Sequence, residues 1–366
     1  MKILYITTIS DTMGFFPDHI KMLLGQGHTV DLACNIVNPV KQEIINMGCK
    51  IHQIPFQRFP LRKDNLIAYK MLKEIIIDEG YDLVHTHTPI ASAITRLACK
   101  NIKKIKVLYT AHGFHFYKGA PIKNWIIYYP IEKWLSKYTD TLITINKEDY
   151  QRAKNNFKAT RVEYIPGVGL DINKFRDVVV DKVGKRQELN LPEDAYVVLS
   201  VGELNKNKNH EVVIRAIAKI KNPTIHYVIC GKGPLESYLK KLSLELGVSD
   251  TVHLLGHRQD IAEICKTSDI FAFPSLREGL SVSMMEAMAS GLPFICSDIR
   301  GNKDLIIREK GGLLFNPSSI NEVSDCISRL VNNKRVRKKF AEYNLNKITE
   351  YSINRVLENL SNIIQI

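Results

Sequence analysis

The chain contains two series of short runs rich in β-branched residues, most of them followed by a stretch with helical periodicity. The first series opens with KILYITT, a helical pattern near FPDHIKMLLGQG and then HTVDLAC, and it continues to RVEYIPG. Strands that alternate with helices imply a parallel sheet covered by helices on both faces. Each series therefore predicts a doubly wound α/β domain.

A polar connector, DINKFRDVVVDKVGKRQELNLPEDA, separates the two series, and YVVLSVG starts the second one. A chain of 366 residues is also too long for one ordinary compact core. We predict a first domain over residues 1–170 and a second over 171–345, facing each other as two Rossmann-like domains. Residues 346–366 form an amphipathic helical pattern that we expect to pack back on the first domain.

The seven cysteines are odd in number, scattered along the chain and never spaced as a CxxC pair. This distribution disfavours a disulfide framework and a zinc site, and it favours reduced cysteines in a cytoplasmic protein. The opening MKILYITTIS lacks the apolar region and cleavage site of a signal peptide. No uncharged apolar run reaches the roughly 18 residues of a membrane-spanning helix.

The formal net charge is +13, and it is concentrated in the first half of the chain. Residues 1–180 hold 25 Lys and Arg against 16 Asp and Glu, whereas the remainder holds 26 against 22. A basic first half suggests an anionic partner there: nucleic acid, a phosphorylated substrate or an anionic membrane surface. A generally basic solvated surface is the alternative. Because few aromatic residues lie within the basic clusters, we expect no nucleic acid.

The stretch LREGLSVSMMEAMASG, residues 276–291, carries two glutamates eight residues apart. Ser281 is a suitable N-cap, and Gly291 with Pro293 beyond it ends the helix that follows. This assignment leaves Glu278 in the loop and puts Glu286 just over one turn inside the helix. In the alternative interpretation, Glu278 forms a local cap or salt bridge and Glu286 is a surface residue.

The start of that helix is a candidate anion site. Ligands of open parallel sheets bind outside the carboxyl ends of the strands, where this loop lies. A helix N-terminus offers free N–H groups and a positive dipole end, which together suit a phosphate. We therefore expect the backbone amides of Leu280, Ser281 and Val282, after the turn at Gly279, to hold a diphosphate.

The run FAFPSLREGLSVSMMEAMASGLPFICSDIRGNKDLI strongly resembles the E-x7-E region of the retaining glycosyltransferases of family 4, also called glycosyl transferases group 1. Its Pro-Ser turn, E-G, E-A and G-x-P elements all match that pattern. The resemblance implies the GT-B fold. It also implies that Glu278 contacts the transferred sugar and that Glu286 contacts the nucleotide ribose.

The loop after YVVLSVG runs from Gly202 to His210 and contains a second candidate phosphate contact. By resemblance, Lys208 matches the family lysine that binds the donor diphosphate. The arginine that the family carries just after the glycine is replaced by Glu203, and we expect Lys206 to supply the second positive charge. A lysine on a polar loop is otherwise most often only solvated.

The segment TAHGFHFYKGAP follows a third strand, and it resembles a subgroup of bacterial exopolysaccharide and capsule glycosyltransferases. The family pattern implies that His112 positions the sugar near its primary hydroxyl. By analogy, Gly14 approaches the donor phosphate and Arg258 the nucleotide base. His85 and His87 fit a polar loop in the cleft or a purely structural role.

The resemblance implies a retaining hexosyl or N-acetylhexosaminyl transferase. Its donor would be a nucleotide diphosphate sugar of the UDP class, and its acceptor a growing, polyprenyl-diphosphate-linked precursor of a surface polysaccharide or capsule. The sequence has no Asp-x-Asp pair at a strand end. We therefore expect no metal and no cofactor, and the lysine and the helix amides would stabilise the leaving diphosphate.

Two basic clusters, Arg58–Lys63 and Lys100–Lys106, and the aromatic residues of Phe114–Trp134 suit peripheral contact with the anionic inner leaflet of the plasma membrane. In the alternative, the aromatics are core residues and the lysines ordinary surface. Two rival functions remain open. One is a nucleotide-sugar epimerase of GT-B fold, and the other is a non-catalytic protein that binds nucleotide or polysaccharide.

Overall fold

The computed structural model describes residues 1–365 and divides them into two compact units. The first unit comprises Met1–Gly169 and the segment that starts at Ile353, and the second comprises Leu170–Ser352. The chain thus passes between units at 169/170 and 352/353, against predicted boundaries of 170/171 and 345/346. Each unit is a parallel sheet with helices on both faces, so the predicted pair of doubly wound α/β domains is confirmed.

The first unit has a seven-stranded parallel sheet in the order β3-β2-β1-β4-β5-β6-β7. Its strands are β1 Lys2–Ile9, β2 Thr29–Asn35, β3 Ile51–Gln53, β4 Leu83–His87, β5 Lys106–Ala111, β6 Thr141–Thr144 and β7 Arg161–Tyr164. All but the first of the eight residues of β1 are buried, as expected for a strand covered on both faces.

The helices of the first unit follow its strands in regular alternation. They are α1 Ser10–Met13, α2 Pro17–Gly25, α3 Gln42–Ile45, α4 Asp64–Glu79, α5 Pro89–Cys99, α6 Ile122–Leu135 and α7 Lys147–Asn156. A 3₁₀ turn, Ser136–Tyr138, follows α6. None of the helices within residues 1–365 is both long and apolar enough to cross a bilayer.

The second unit has a six-stranded parallel sheet in the order β10-β9-β8-β11-β12-β13. Its strands are β8 Tyr196–Val201, β9 Ile225–Cys230, β10 Val252–Gly256, β11 Ile270–Phe273, β12 Phe294–Ser297 and β13 Gly312–Phe315. Its helices are α8 Asn173–Arg176, α9 Lys182–Glu188, α10 His210–Ile220, α11 Glu236–Glu245, α12 Ile261–Thr267, α13 Val282–Ala289, α14 Asn302–Leu305, α15 Ile320–Asn332 and α16 Lys334–Lys347. A 3₁₀ turn, Ile348–Tyr351, ends the unit.

Both sheets reverse their winding direction at one place. In the first unit β1 is flanked by β2 and β4, and in the second unit β8 is flanked by β9 and β11. At such a switch point the loops that leave neighbouring strands diverge to opposite faces and open a crevice at the carboxyl edge of the sheet. The loops after β1 and β4, and those after β8 and β11, are therefore the places where the fold favours a ligand.

The last helix, α17 Ile353–Gln365, packs on the first unit, where the sequence predicted that it would lie. Val356 and Leu360 are buried with Ile20 and Leu23 of α2 in one apolar cluster. The chain enters α17 beside Gly169, where a Cβ would lie 2.6 Å from Ile353 Cδ1. Only glycine permits so close an approach together with a φ of +85°.

We expect Leu360→Ala to destabilise the first unit by about 2–5 kcal/mol, because it removes a fully packed side chain and leaves a cavity. Urea unfolding followed by tryptophan fluorescence measures this selectively, since the only two tryptophans, Trp125 and Trp134, belong to that unit. Glu358→Ala, at an exposed position of the same helix, should change the free energy of unfolding by less than about 0.5 kcal/mol. Equal effects of the two substitutions would contradict the packing of α17.

Candidate functional site

The loops that follow β8 and β11 lie against each other in the second unit. The Leu276 N–H donates to the Asn207 carbonyl at 2.8 Å, and Asn207 Nδ2 donates to the Arg277 carbonyl at 3.0 Å. These contacts join residues about 70 positions apart in sequence. They bring the predicted lysine loop and the first glutamate of the predicted E-x7-E motif to one point at the carboxyl edge of the sheet.

Lys208 and Glu278 form an ion pair there, with Lys208 Nζ 2.7 Å from Glu278 Oε1. The lysine ammonium also lies 4.7 Å from the centroid of the Phe273 ring. Its stem packs on Gly202, where a Cβ would come within 3.2 Å of the lysine chain. Both charged side chains are largely buried, so the ammonium is held in a low-dielectric setting where its attraction for a second anion is strong.

Helix α13 begins directly after this pair, at the residue that the sequence predicted. Ser281 is its N-cap, with an extended backbone, and the Ser281 hydroxyl accepts the Met284 N–H at 3.4 Å. Within residues 1–365 the N–H groups of Leu280, Ser281 and Val282 donate no hydrogen bond. Three free donors and the positive end of the helix dipole thus lie next to the Lys208–Glu278 pair, an arrangement suited to an anion.

A neighbouring loop holds this backbone in place. Gly301 follows β12 with a φ of +76°, and a Cβ on it would lie 2.2 Å from the Gly279 carbonyl oxygen. A similar contact joins the loops after β8 and β9, since a Cβ on Gly231 would lie 1.9 Å from the Gly202 carbonyl oxygen. Sequence reasoning missed both glycines; for Gly231 the signal was the Gly-Lys-Gly run directly after a strand.

Glu286 lies inside α13, half-buried and without an ion pair or side-chain hydrogen bond among the described residues. Burial raises the pKa of its carboxyl group to about 7, and the positive charge of Lys174 offsets this only in part. A carboxyl group with free oxygens is suited to accept hydrogen bonds from ligand hydroxyls once it ionises. Its predicted contact with a ribose remains a prediction.

The other two predicted donor contacts, Lys206 and Arg258, differ in whether they already have ionic partners. Lys206 is exposed and makes no hydrogen bond or ion pair within residues 1–365, and Glu203 is exposed and accepts from Asn205 Nδ2 at 2.8 Å. Arg258 makes ion pairs with Asp260 and Glu188, and these carboxylates raise the pKa of its guanidinium group. A ligand would compete with these two carboxylates for the guanidinium, and the predicted approach of Arg258 to a nucleotide base stays a prediction.

In the first unit His112 follows β5 and contacts His87 at the end of β4. His87 Nδ1 lies 3.0 Å from His112 Nε2. Desolvation lowers the pKa of His112 to about 4 and that of His87 well below its ordinary value. Both rings are therefore neutral at physiological pH, and the hydrogen bond requires that one of the two nitrogens carries the proton.

The histidine pair belongs to a larger buried cluster. Tyr5 and Phe16 pack against His87 with ring centroids 4.8 Å and 4.2 Å away, and His85 Nε2 lies 2.8 Å from Thr110 Oγ1. His85 and His87 are each only 1% exposed. Both histidines are thus packed in the interior of the first unit, and His87 contacts His112 there.

The loop that carries His112 is anchored by a residue that sequence reasoning missed. Asp149, fully buried near the start of α7, accepts the Phe114 N–H at 2.9 Å and also a side-chain N–H of Asn146 at 2.8 Å. Gly14, by contrast, ends α1 with an ordinary helical backbone, and its carbonyl accepts from Lys41 Nζ at 2.9 Å. Its predicted approach to a phosphate stays a prediction.

The described residues hold no group of three or more His, Cys, Asp or Glu side chains arranged to bind a metal ion. The positive charge beside Glu278 is that of the Lys208 ammonium and of the free N–H groups at the start of α13.

Two family models match the chain, one for each unit. The model "Glycosyl transferases group 1" matches residues 181–347, and the model "Glycosyltransferase Family 4" matches residues 18–169. The first of these ranges contains Lys208, Glu278 and Glu286, and the second contains His112.

Two relatives have similar sequences along most of the chain. A putative glycosyltransferase, EpsD, of Bacillus subtilis is 37% identical over 85% of this chain and 83% of its own length. A UDP-Gal:alpha-D-GlcNAc-diphosphoundecaprenol alpha-1,3-galactosyltransferase of Escherichia coli is 31% identical over 74% of this chain and 71% of its own. Sucrose-phosphate synthase of Thermosynechococcus elongatus has a similar fold, with a TM-score of 0.84 at 18% identity over 100% of this chain and 98% of that one.

We expect Gly301→Ala to destabilise the second unit more than Gly247→Ala does. Both glycines have a positive φ, but a Cβ at Gly247 meets no atom within 4 Å, whereas at Gly301 it meets the Gly279 carbonyl. A Cβ at a positive φ costs about 1–2 kcal/mol, and Gly301→Ala adds to this strain the clash with the Gly279 carbonyl. Urea unfolding followed by circular dichroism gives both free energies; equal losses would contradict the loop contact.

We expect Glu286→Gln to gain thermal stability over the wild type as the pH rises. The folded-state pKa is about 7 against an ordinary value of 4.5, so the wild type favours the neutral carboxyl and loses stability as the pH rises between these values. Glutamine stays neutral throughout. The difference in Tm should be small near pH 5 and largest above about pH 8. Glu193→Gln, at an exposed position, is the control; a pH-independent difference for Glu286→Gln would contradict the raised pKa.

Proposed function

Since this chain belongs to the glycosyl transferases group 1 and glycosyltransferase family 4, and is a glycosyltransferase of GT-B fold, we propose that it transfers a sugar from a UDP-sugar to a lipid-linked saccharide with retention of configuration. The transferred unit in this proposal is a hexose or an N-acetylhexosamine. The product is a longer precursor of a surface polysaccharide or capsule. The enzyme acts in the cytoplasm, in peripheral contact with the inner leaflet.

The observation that carries the proposal is the convergence on one edge of the second sheet. Lys208 and Glu278 meet at 2.7 Å beside the free amides that start α13, and Glu286 lies one turn further along the same helix. A nucleotide diphosphate sugar offers a diphosphate between two sets of hydroxyls, and this arrangement has one cation and three free N–H donors between two carboxylates. Lys208 would bind the diphosphate, Glu278 the sugar and Glu286 the ribose.

The chemistry that these residues support is charge stabilisation. The bond between the sugar C1 and the diphosphate oxygen breaks, and the charge that develops on the diphosphate is met by the Lys208 ammonium and the α13 amides. The acceptor hydroxyl forms its bond to C1 on the same face and gives its proton to the departing diphosphate. No metal enters this scheme.

The donor and acceptor classes are supported by the relatives. The name of the Escherichia coli relative gives it a UDP-galactose donor and a diphosphoundecaprenol-linked acceptor. A Campylobacter jejuni relative, 24% identical, is named for a diphospho-undecaprenol-linked acceptor as well. For this chain we propose the same two classes, with the acceptor on the first unit and His112 near the transferred sugar.

Contact with an anionic leaflet is supported by charge. Residues 1–180 carry a net charge of +9, from 25 basic and 16 acidic side chains. Lys103 and Lys104 are exposed without an ion pair among the described residues, and Lys100 lies over the Tyr138 ring at 5.2 Å. Each such charge near an anionic surface contributes about 1 kcal/mol of attraction.

We expect UDP to raise the Tm of the protein more than GDP or ADP does, and we expect Lys208→Met to weaken UDP binding about 10- to 100-fold. The methionine keeps the stem that packs on Gly202 and Phe273 and removes only the charge, whose hydrogen bonds to phosphate contribute about 1.5–3 kcal/mol. Thermal shift and calorimetry measure both effects. Lys241→Met, an exposed lysine of α11, is the matched control.

Turnover then separates the proposed reaction from its rivals. Wild type with a UDP-sugar and a lipid-linked saccharide should release UDP and form a glycosidic bond of the donor's configuration, and Lys208→Met should not. Conversion of the donor sugar to its epimer without an acceptor would contradict the transferase, and so would binding of nucleotide with no turnover on any lipid-linked acceptor.

A further inference from the structure

The first unit contains a large apolar groove that the donor site does not use. Its volume is about 660 Å³, within the range of ligand pockets. It opens among the loops that follow β1, β4 and β5 and runs between α5 and α6. Ile90, Phe114, Ile127 and Ile131 line it, and the lining includes the residue next to His112, Gly113.

Helix α6, which forms one wall of this groove, presents apolar side chains to its outer face as well. Ile122 is 74% exposed and Ile126 68%, and Trp134 near the other end of the helix is also exposed. The outward side of a water-facing helix is ordinarily charged, and a helix that is apolar all round is normally buried or in contact with lipid. No described residue covers this face.

The opposite lip of the groove is equally apolar and exposed. Phe59 is 75% exposed and Leu61 98%, and Pro60 and Leu61 line the groove. Isolated exposed apolar residues are common on protein surfaces, but two apolar lips around one apolar groove form a continuous patch. Such a patch marks a binding surface for a protein, a membrane or an apolar ligand.

Positive charge surrounds the patch. Arg58, which lines the groove, is exposed, and so are Lys63, Lys118 and Lys123. None of the four makes an ion pair within residues 1–365. Unpaired cations next to an apolar surface complement an anionic head group attached to a hydrocarbon chain.

The few polar groups of the lining lie in defined places. Glu132 is held by two hydrogen bonds from buried Arg96, at 2.9 Å and 3.2 Å, so its charge is compensated. Thr8 and Thr88 meet at 2.7 Å where β1 and β4 end. Thr88 has a φ of 67°, which is rare for a β-branched residue and is concentrated at functional sites.

We propose that this groove holds the hydrocarbon chain of the lipid-linked acceptor, with the anionic diphosphate of that lipid near Arg58. The inference rests on the acceptor class proposed above and assigns to it a binding site on the first unit. In this arrangement α6 and the loop at Phe59 lie on the bilayer, and the chain passes from the bilayer into the groove. The saccharide end then lies at the carboxyl edge of the sheet, where His112 is.

The observations favour this occupant over two others. A small water-soluble apolar ligand would fill the groove but would leave the exposed outer face of α6 unexplained. A protein partner would cover that face but would not need a cavity that opens beside His112. Only a hydrocarbon chain that belongs to a membrane lipid accounts for the groove, the exposed lips and the surrounding cations together.

Binding of farnesyl diphosphate, a 15-carbon isoprenoid diphosphate, tests the proposal by calorimetry. We expect saturable binding at least tenfold tighter than that of inorganic pyrophosphate, because the chain contributes buried apolar area. Ala93→Trp, which fills the groove from α5, should weaken it at least tenfold, and Arg58→Glu should weaken it by a similar factor. Stabilisation by UDP, which involves the second unit, should be unchanged in both variants.

Two neighbouring residues of α6 give a matched pair of variants. This second test does not depend on whether the Ala93→Trp variant folds. Ile126 and Ile127 are both exposed, but only Ile127 lines the groove. Ile127→Asp should lose farnesyl diphosphate binding at least tenfold, and Ile126→Asp should keep it. Both should bind less to vesicles that contain anionic lipid.

Each outcome decides the matter. The groove assignment is overturned if farnesyl diphosphate binds no tighter than pyrophosphate. It is also overturned if farnesyl diphosphate binds equally well to wild type, Ala93→Trp and Ile127→Asp. In either case, stabilisation by UDP would still support the proposed transferase. Equal loss in Ile126→Asp and Ile127→Asp likewise overturns the groove assignment, because the outer face and not the groove would then be responsible. Loss of UDP stabilisation by the wild type would reject the proposed donor site independently of the groove.

Discussion

Everything that concerns the donor side depends on one geometric constraint, that parallel strands deliver their carboxyl ends to the same edge of a sheet. Lys208 and Glu278 are 70 residues apart, yet the strands that precede them, β8 and β11, are neighbours across the switch point of the second sheet. Because the loops after both strands leave the sheet at this edge, the Lys208 ammonium and the Glu278 carboxylate meet at hydrogen-bond distance, with the free N–H groups of α13 beside them. Glycines at positions 231 and 301 allow the adjacent loops to approach closely enough to fix that arrangement.

The electrostatics of the site follow from how each carboxylate is compensated. Glu278, in the loop before α13, forms an ion pair with Lys208, whereas Glu286, inside α13, forms no ion pair among the described residues, and desolvation raises its pKa to about 7. The two glutamates of the E-x7-E motif therefore differ in their surroundings: Glu278 forms an ion pair with Lys208, whereas the pKa of the desolvated Glu286 carboxyl lies near neutral pH. A ligand with a diphosphate and hydroxyl groups would therefore meet one carboxylate that is paired with a cation and one that is not.

Local sequence signals were sufficient for most of the fold and for part of this site. The alternation of β-rich and helical runs predicted two doubly wound units, and Ser281 with Gly291 predicted the limits of α13, because capping and periodicity are properties of adjacent residues. The contacts that sequence reasoning missed are long-range. Asp149 supports the His112 loop from 35 residues away, and Arg96 neutralises Glu132 from 36 away, so neither pair leaves a pattern that a single sequence displays. Arg258 has one partner of each kind, since Asp260 is two residues away and Glu188 is 70 residues distant, and its approach to a nucleotide base stays a prediction.

The return of α17 to the first unit has a consequence for how the protein is made. The second unit is one uninterrupted stretch, Leu170–Ser352, whereas the first unit lacks part of its apolar core until Val356 and Leu360 have been synthesised. At ribosomal speeds of about 5–20 residues per second, the amino-terminal segment waits about 10–40 s with the face beneath α2 uncovered. The unit that begins first is thus completed last, and the carboxyl-terminal helix closes the core opened by the first strand.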